Sequence, residues 1–534
     1  MKLKLTRSSD ELGKAPLAKL LYRYSVPAIF ALVINALYNL VDRLYLAHYI
    51  PDVPVASAAE MAEVTNAVMA GLGFAMPYMQ FVAAFGVLIG AGSAALLSIR
   101  MGAGDQDGAE KIVGQCVALK VLVFIFLPFL AYALMEPALK LCGAQGHALK
   151  FACTYLTIIL LGSVFMHLSY GIAGLIRAEG KATMAMITMV VGAVSNVLLD
   201  PIFIFGWCGL PAMGIEGAAW ATNLAMMISA TVGIAYLSGK ASPVRLRWKC
   251  ISLYRKFFGP VLVVGLMPAL TQMVSGIVHA IFIKGYEIWG GAETDLLISA
   301  VVIIQGVHTI VLEPACGIAQ AAQPIIGYSY GAGKYARMMS CTMKATRYAT
   351  IVSSVFFLVM MLGAPVISRA FIPRTTETAI VENNRPNATE AIAENAAEPR
   401  AVLEAADESA PLSREKLYDK TVWGMRVLAI GFPLFGIPLM LGTYYQSIGQ
   451  AKAALIVGAL QEFLLLVPLV IVLPYVFGGV NGVWYAQPIS ETLCGIICGY
   501  LLLRERRKIF RKIQAARHEH DSGPAKARTA LAKA

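Results

Sequence analysis

Two carboxylates lie inside long apolar stretches of this 534-residue chain. Asp42 is found in SVPAIFALVINALYNLVDRLYLA, and Asp200 is found in MITMVVGAVSNVLLDPIFIF. A charged side chain at the centre of a bilayer costs at least ~2.5–3.5 kcal/mol on insertion scales. A chain that keeps such a residue usually uses it to handle ions or protons, so these two acids are the leading functional candidates.

Each acid has a polar neighbour one helical turn earlier. Tyr38 precedes Asp42 by four residues, and Asn196 precedes Asp200 by four, so each pair shares a helix face. Tyr donates a hydrogen bond to a carboxylate, and Asn both donates and accepts. If the pairs converge, they predict either an oxygen-lined Na⁺ site at Asp42, Asn196 and Asp200 or carboxylates that exchange a proton. The alternative for Asp42 is a salt bridge with Arg43, although consecutive helical residues point about 100° apart.

Pro201 directly follows Asp200 and removes one backbone hydrogen bond from the helix, which predicts a bend there. Carbonyl groups freed near an acid can serve as ion ligands in interrupted transporter helices. An equally good interpretation is that Pro201 is an ordinary proline of a membrane helix with no role in ion binding.

The composition places these residues in a membrane protein. The chain is 58% hydrophobic and 14% charged, with a mean hydropathy of +0.67, whereas soluble domains are about 25% charged. We therefore expect an all-α polytopic protein with twelve transmembrane helices. The predicted segments are 24–49, 69–99, 112–136, 152–176, 184–206, 217–238, 258–284, 295–330, 345–372, 422–445, 453–477 and 480–503.

The basic residues indicate the orientation. Lys and Arg concentrate in alternate connections and at both ends of the chain, which predicts that both termini are cytoplasmic. The net charge of +12 therefore points to anionic lipid headgroups, against which the tail RERRKIFRKIQAAR is expected to lie, rather than to nucleic acid.

The second half of the chain repeats motifs of the first in the same order. The paired stretches are GAGDQDGAEK and GAGKYARMMS, IRAEGKATMA and YQSIGQAKAA, and GIEGAAWAT and GVNGVWYAQ. Two parallel six-helix repeats are typical of transporters whose lobes move around a central cavity. The predicted domains are a cytoplasmic segment at 1–23, an N-terminal lobe at 24–238, a cytoplasmic linker at 239–257, a C-terminal lobe at 258–503 with an outer loop at 373–420, and a basic cytoplasmic tail at 504–534.

The repeat does not extend to the acids. Aligning Pro27 with Pro268 places Ile283 opposite Asp42, and aligning Gly180 with Gly449 places Leu469 opposite Asp200. The two carboxylates are thus peculiar to the N-terminal lobe. The C-terminal lobe has a set of polar residues that is predicted to line the cavity: Gln272, His279, Gln305, Glu313, Gln461 and Glu462.

Two residues of this set have two possible roles each. Glu313 precedes a proline and either lines the cavity or satisfies backbone groups at a helix break. His279 either relays protons or is hydrogen-bonded between helices. Glu491 is interpreted as a packed polar residue with a structural role.

Motifs for enzymatic chemistry are not found: the sequence has no nucleophile elbow, HExxH pair, Walker A loop or dinucleotide fingerprint. We therefore expect a protein that is not an enzyme and uses no cofactor. Without a nucleotide site, transport would be driven by an ion gradient or by a partner.

Several motifs together resemble the MATE (multidrug and toxic compound extrusion) family of efflux antiporters. The resemblance covers residues 12 to 503 apart from the outer loop. It is carried, in the family's order, by ALYNLVDRLYLA, MGAGD, IRAEGKA, SNVLLDPIFIFG, GIEGAAWAT, QPIIGYSYGAG and SIGQAKAA.

The resemblance implies twelve spans in two six-helix lobes that form a V, and export of drugs in exchange for Na⁺ or H⁺. Asp42 looks like the family's first-span acid, and Asn196 and Asp200 look like its fifth-span pair. Tyr38 and Tyr155 fall where the DinF-like branch places tyrosines near the site. Thr222 is similar to the sixth-span threonine.

The NorM-like branch has a seventh-span glutamate soon after the proline, and MPALTQMVSGIVHA has none. The resemblance therefore favours the DinF-like branch and ion coupling in the N-terminal lobe. It implies a monomeric antiporter of the bacterial cytoplasmic membrane that exports amphipathic, cationic compounds and binds no nucleic acid. The alternatives are a flippase for a lipid-linked precursor and a non-transporting sensor or scaffold.

Overall fold

The computed structural model describes residues 11–47, 58–141, 143–371 and 415–531. Within these ranges the chain forms helices joined by short turns, and no β-strand occurs among the residues described. The helices are α1 (Leu17–Ala47), α2 (Ala58–Gly102), α3 (Gln106–Leu141), α4 (Gly146–Ala178), α5 (Ala182–Ile204), α6 (Ile215–Ser238), α7 (Arg255–Gly290), α8 (Thr294–Gly331), α9 (Tyr335–Phe371), α10 (Glu415–Ala429), α11 (Phe432–Ser447), α12 (Ala451–Phe477) and α13 (Val480–Leu531).

Eleven of these helices contain stretches long and apolar enough to cross a membrane. The pair α10 and α11 forms a twelfth span that is bent by 50° at a short break. The prediction of an all-α protein with twelve spans is thereby confirmed. The helices extend beyond the predicted apolar segments at several ends.

Several ends differ from the sequence-based expectation. The first span begins at Leu17, inside the predicted cytoplasmic segment, and α13 runs without interruption from the last span into the basic tail. The segment 295–330 lies within a single helix, α8. Of the predicted outer loop at 373–420, residues 415–420 begin α10, and the remainder lies outside the described residues.

The two halves contact each other through equivalent helices. The first span of each half packs on the second span of the other, as α1 on α8 and α2 on α7. Glycines permit the close approach: a Cβ atom at Gly92 would overlap the carbonyl of Val261, and one at Gly265 would overlap the carbonyl of Leu88. This reciprocal arrangement is expected of parallel repeats related by an axis along the membrane normal.

The linker between the halves is bound to the N-terminal half. Arg247 Nε lies 3.1 Å from Glu110 Oε2, and Gln106 Nε2 donates to the carbonyl of Pro243 at 2.9 Å. Ser242 Oγ donates to Glu179 Oε2 at 2.8 Å. Glu179 caps the end of α4 outside the spans, and its complete burial raises the pKa of its carboxyl to about 8.

The segment that precedes α1 is bound to the other half. Arg337 Nη2 donates to the carbonyls of Leu12 at 2.9 Å and Ala15 at 2.7 Å, and Lys334 Nζ donates to that of Gly13 at 3.0 Å. The N-terminal segment therefore joins the two halves on the predicted cytoplasmic side.

Candidate functional site

The predicted ion site lies among α1, α4, α5 and α6, which pack on one another in the N-terminal half. Asn196 and Asp200 are one turn apart on α5, and both side chains are completely buried. The remainder of α5 is strongly apolar, so packing against its neighbours brings this single polar face into the interior of the lobe. The helix continues through Pro201 to Ile204, one turn beyond Asp200.

Asn196 connects the carboxylate to the next helix. Its Nδ2 donates to Asp200 Oδ1 at 3.0 Å and to Thr222 Oγ1 of α6 at 3.3 Å. The second oxygens, Asp200 Oδ2 and Asn196 Oδ1, are buried and have no hydrogen-bond partner among the residues described. Two acceptor oxygens are thus left for a ligand that supplies positive charge.

The first span supplies the opposite wall. Tyr38 is buried and packs with Ala193 of α5 and Met226 of α6. Its hydroxyl lies 3.4 Å from that of Tyr170, which donates to Asn35 Oδ1 at 3.1 Å. The Tyr155 side chain of α4 is also buried and lies within electrostatic range of Tyr38.

Asp42 lies on α1, one turn beyond Tyr38, and is partly buried. The two carboxylates are close enough for their charges to act on each other, and Asp42 also acts on Tyr38. The Arg43 side chain lies outside the described side chains, so the predicted alternative of an Asp42–Arg43 salt bridge stays open. The structure brings together all six residues predicted for the ion site: Tyr38, Asp42, Tyr155, Asn196, Asp200 and Thr222.

This geometry suits a monovalent cation. Paired carboxylates that are buried near each other bind a proton readily, since two like charges in a poorly solvated site repel. Carboxylate, amide and hydroxyl oxygens are also the ligands that a hard cation such as Na⁺ prefers. The site therefore offers the chemistry for H⁺ or Na⁺.

The predicted cavity residues of the second half do not form one group. Gln272 donates to Gln80 of α2 and so joins the two halves. Gln305 lines a small enclosed cavity of about 20 Å³ with Gln487, and Glu313 is partly buried on α8. Gln461 and Glu462 lie on the same turn of α12, and the His279 side chain is outside the described side chains.

Sequence reasoning did not place Asn35 and Tyr170 in the site. Asn35 and Tyr38 are three residues apart and share a helix face, which is a signal the sequence does contain. Tyr170 lies on α4, and its hydroxyl reaches Asn35 on a different helix. That contact cannot be read from the spacing of residues within one helix.

A separate cavity of about 890 Å³ opens at the predicted outer ends of α3, α4 and α6. Its polar lining includes Glu136, Lys140, Thr154, Thr157 and Glu216, and Glu136 pairs with Lys140 at 2.7 Å. None of the predicted ion-site residues lines it. It is distinct from the site on α1, α5 and α6.

Comparisons with known proteins agree with this architecture. The profile of the MatE family matches residues 61–202 and 269–383, one stretch in each half. The multidrug export protein MepA of Staphylococcus aureus strain N315 is 22% identical over 505 residues, covering 92% of this chain and 95% of that protein. MepA of Staphylococcus saprophyticus is 22% identical over 498 residues, again covering 92% and 95%.

Solved structures show the same fold. A MATE transporter in complex with MaL6 has a TM-score of 0.77 at 22% identity, covering 95% of this chain and 99% of that one. A multidrug resistance MATE transporter in an outward-facing conformation has a TM-score of 0.76 at 21% identity, covering 94% and 98%.

Proposed function

The chain belongs to the MATE family, and on this premise we propose that it is a secondary antiporter that exports amphipathic, cationic organic compounds in exchange for H⁺ or Na⁺. The exchange would proceed by alternating access, with the two lobes opening in turn to either side of the membrane. The Staphylococcus relatives are named as multidrug exporters, which supports this class of cargo.

One observation carries the proposal: among the residues described, the buried carboxylate of Asp200 has one oxygen without a hydrogen-bond partner, and the charge of Asp42 acts on this carboxylate. A structural carboxylate would be expected to have its oxygens satisfied by protein donors. An oxygen left for an exchangeable ligand fits a residue that binds an ion in one state and releases it in another. Binding of the ion from outside would then change the packing of α1 or α5 and release cargo outward.

The placement of these acids supports the DinF-like branch. Both lie in the first half, and the corresponding positions of the second half are Ile283 and Leu469. Coupling in the N-terminal lobe follows from this asymmetry. In the proposed setting the protein is a monomer of a bacterial cytoplasmic membrane with both termini inside.

The test uses the full chain in proteoliposomes, with pH and sodium gradients imposed separately and the lipophilic cation ethidium as the probe. Asp200→Asn keeps the shape of the side chain but removes its charge. We expect this variant to lose gradient-driven ethidium efflux down to the level of empty vesicles. The matched control is Asp107→Asn, which alters an exposed carboxylate paired with Lys111 at the start of α3 and should leave efflux unchanged.

The two gradients separate the coupling ions. A response to the pH gradient alone assigns H⁺, and a response to sodium alone assigns Na⁺. Full gradient-driven efflux by correctly inserted Asp200→Asn protein would contradict the proposal, because the charge of Asp200 would then be dispensable.

A further inference from the structure

Another buried acid lies in the C-terminal half, away from the Asp42–Asp200 site. Glu491 of α13 is 3% exposed. Its Oε1 accepts a hydrogen bond from Gln487 Nε2 at 3.1 Å, while its buried Oε2 has no hydrogen-bond partner in the described part of the chain. An ionised carboxylate in such a position is costly unless a cation or several donors compensate it.

The facing helix presents another glutamate. Glu462 lies in α12 where residues Leu460–Leu466 form a π-helical stretch, and its charge acts on Glu491. Ser490 Oγ donates to the carbonyl of Gln461 at 3.1 Å and so holds the two helices together beside the acids. Pro468 lacks the N–H that would bond four residues back, which contributes to the irregular stretch. Short π-helical segments occur frequently at functional sites.

Glu491 also reaches the break between α10 and α11. A Cβ atom at Gly431 would overlap Oε2, so the carboxylate lies directly against the backbone of this residue. The backbone N–H groups of Ile430 and Gly431 donate to carbonyls three residues back, at 3.2 Å and 3.4 Å, and the chain bends by 50°. The unpartnered oxygen is therefore aimed at a helix break.

Gln487 connects the acid to a second polar element. It lines the enclosed cavity of about 20 Å³ together with Gln305 of α8, and this volume is sufficient for about one water molecule. The Gln487 side chain therefore connects this cavity to Glu491 through its hydrogen bond to the carboxylate.

We propose that Glu462 and Glu491 share one exchangeable proton and form a second proton site in the C-terminal lobe. In this site, one carboxylate takes up H⁺ from water and becomes a neutral carboxylic acid, which removes its repulsion with the other carboxylate. This inference rests on the proposed transport function and extends it, since each cycle would then move a proton in the second lobe as well.

The groups around the pair favour a proton over a metal ion. The titratable neighbours are Cys494 and Cys498 on α13 itself and, across Phe432, His308 of α8, whose ring centroid lies 5.4 Å from that of Phe432. No Lys or Arg forms a salt bridge with either glutamate among the residues described. A shared proton removes the repulsion between the two charges without needing the several oxygen ligands that a bound metal ion takes.

The direct test is infrared difference spectroscopy on the purified full chain in lipid vesicles after a pH jump. A buried carboxylic acid gives a carbonyl band that disappears when the proton is lost. We expect Glu491→Gln to remove one such band and Glu462→Gln to alter the same band. Asp200→Asn should retain it. The matched control is Glu505→Gln, which changes a partly exposed acid paired with Lys508 on the same helix.

Three results would overturn the inference. The first is an unchanged carbonyl region in both glutamate variants. The second is a band altered by only one of them, which would assign an independent acid. The third is displacement of the band by sodium at constant pH, which would indicate a metal-ion site. Should Glu491→Gln fail to fold, as judged by size-exclusion chromatography, the partly exposed Glu462 still provides the decisive variant.

A second measurement asks whether the proton is coupled to transport. The pH gradient at which ethidium flux reverses reports the number of protons exchanged for each cation. We expect Glu491→Gln to exchange one proton fewer than the wild type, and an unchanged reversal point would overturn the coupling. Absence of any gradient-driven flux in the wild type would instead refute the proposed function, and the infrared measurement would still decide whether the pair binds a proton.

Discussion

Gly102 of α2 and Gly331 of α8 each lie directly against the backbone of the other helix. A Cβ atom at Gly102 would overlap the carbonyl of Tyr328, and one at Gly331 would overlap the carbonyl of Ile99. Each residue begins a GAG sequence at the same position of its half. The repeated motif thus permits close contact of the two lobes at their predicted cytoplasmic ends.

Gly331→Leu should prevent this contact. Forcing a large side chain into a packed interface costs typically about 1–3 kcal/mol, which corresponds to roughly a 5- to 150-fold loss of the state with the cytoplasmic ends together. In the proposed cycle that state is required for release outward. We expect the rate of ethidium efflux to decrease by the same factor, about 5- to 150-fold. Equilibrium binding of ethidium, measured by fluorescence anisotropy, should be retained.

Gly306→Leu is the matched control, because Gly306 lies on the same helix and has no atom within 4 Å of an ideal Cβ. Equal efflux by the two variants would show that the contact of α2 with α8 does not limit transport.

The sequence predicted the spans, and it predicted which residues of the candidate ion site share a helix face, for a physical reason. Long apolar runs determine which segments enter a membrane, and a four-residue spacing determines which side chains share a helix face, so Asn196 could be paired with Asp200 in advance. Tyr170 and Glu491 depend instead on contacts between distant helices. Tyr170 joins the site through the packing of α4 on its neighbours, and the position of Glu491 requires both the π-helical stretch of α12 and the bend after α10.

Thr222→Val tests whether the hydroxyl on α6 supports the ion site. The substitution keeps the shape of the side chain but removes the oxygen that accepts from Asn196 Nδ2. Loss of one hydrogen bond costs about 0.5–1.5 kcal/mol, so we expect the coupling-ion concentration for half-maximal efflux to change roughly 2- to 13-fold. The measurement is efflux as a function of external coupling ion.

Thr231→Val provides the comparison on the same helix. The Thr231 hydroxyl is exposed and donates only to the carbonyl of Met227, one turn earlier. A similar change in both variants would indicate a general effect on α6 rather than a role for Thr222 in the site.

Gly171 makes room for a buried lysine in the N-terminal half. Lys120 is 1% exposed, and its Nζ donates to the carbonyl of Gly86 at 2.9 Å. A Cβ atom at Gly171 would overlap Lys120 Cε, so Gly171→Ala should lower the free energy of unfolding by about 1–3 kcal/mol. Thermal unfolding in detergent measures the loss.

Gly174→Ala lies one turn away on α4, where an added Cβ meets no atom within 4 Å, and it should leave the unfolding temperature unchanged. Lys120→Met removes the amine while keeping a long side chain, and we expect folding and efflux to be retained. If efflux by Lys120→Met no longer responds to the ion gradient, Lys120 takes part in the binding or release of the coupling ion.

Glu179 should make the stability of the linker depend on pH. Its carboxyl is buried against Ser242, and burial raises its pKa from 4.5 to about 8. The native state therefore binds more protons than the unfolded state between these values, so the free energy of unfolding falls as pH rises through this window, by at most about 1.4 kcal/mol per pH unit. Glu179→Gln cannot ionise and should remove this component. The measurement is denaturant unfolding of both proteins from about pH 5 to about pH 8, which lies within this window. Glu505→Gln, at a partly exposed position, serves as the control. A wild-type slope retained by Glu179→Gln would show that this carboxyl does not titrate in the window.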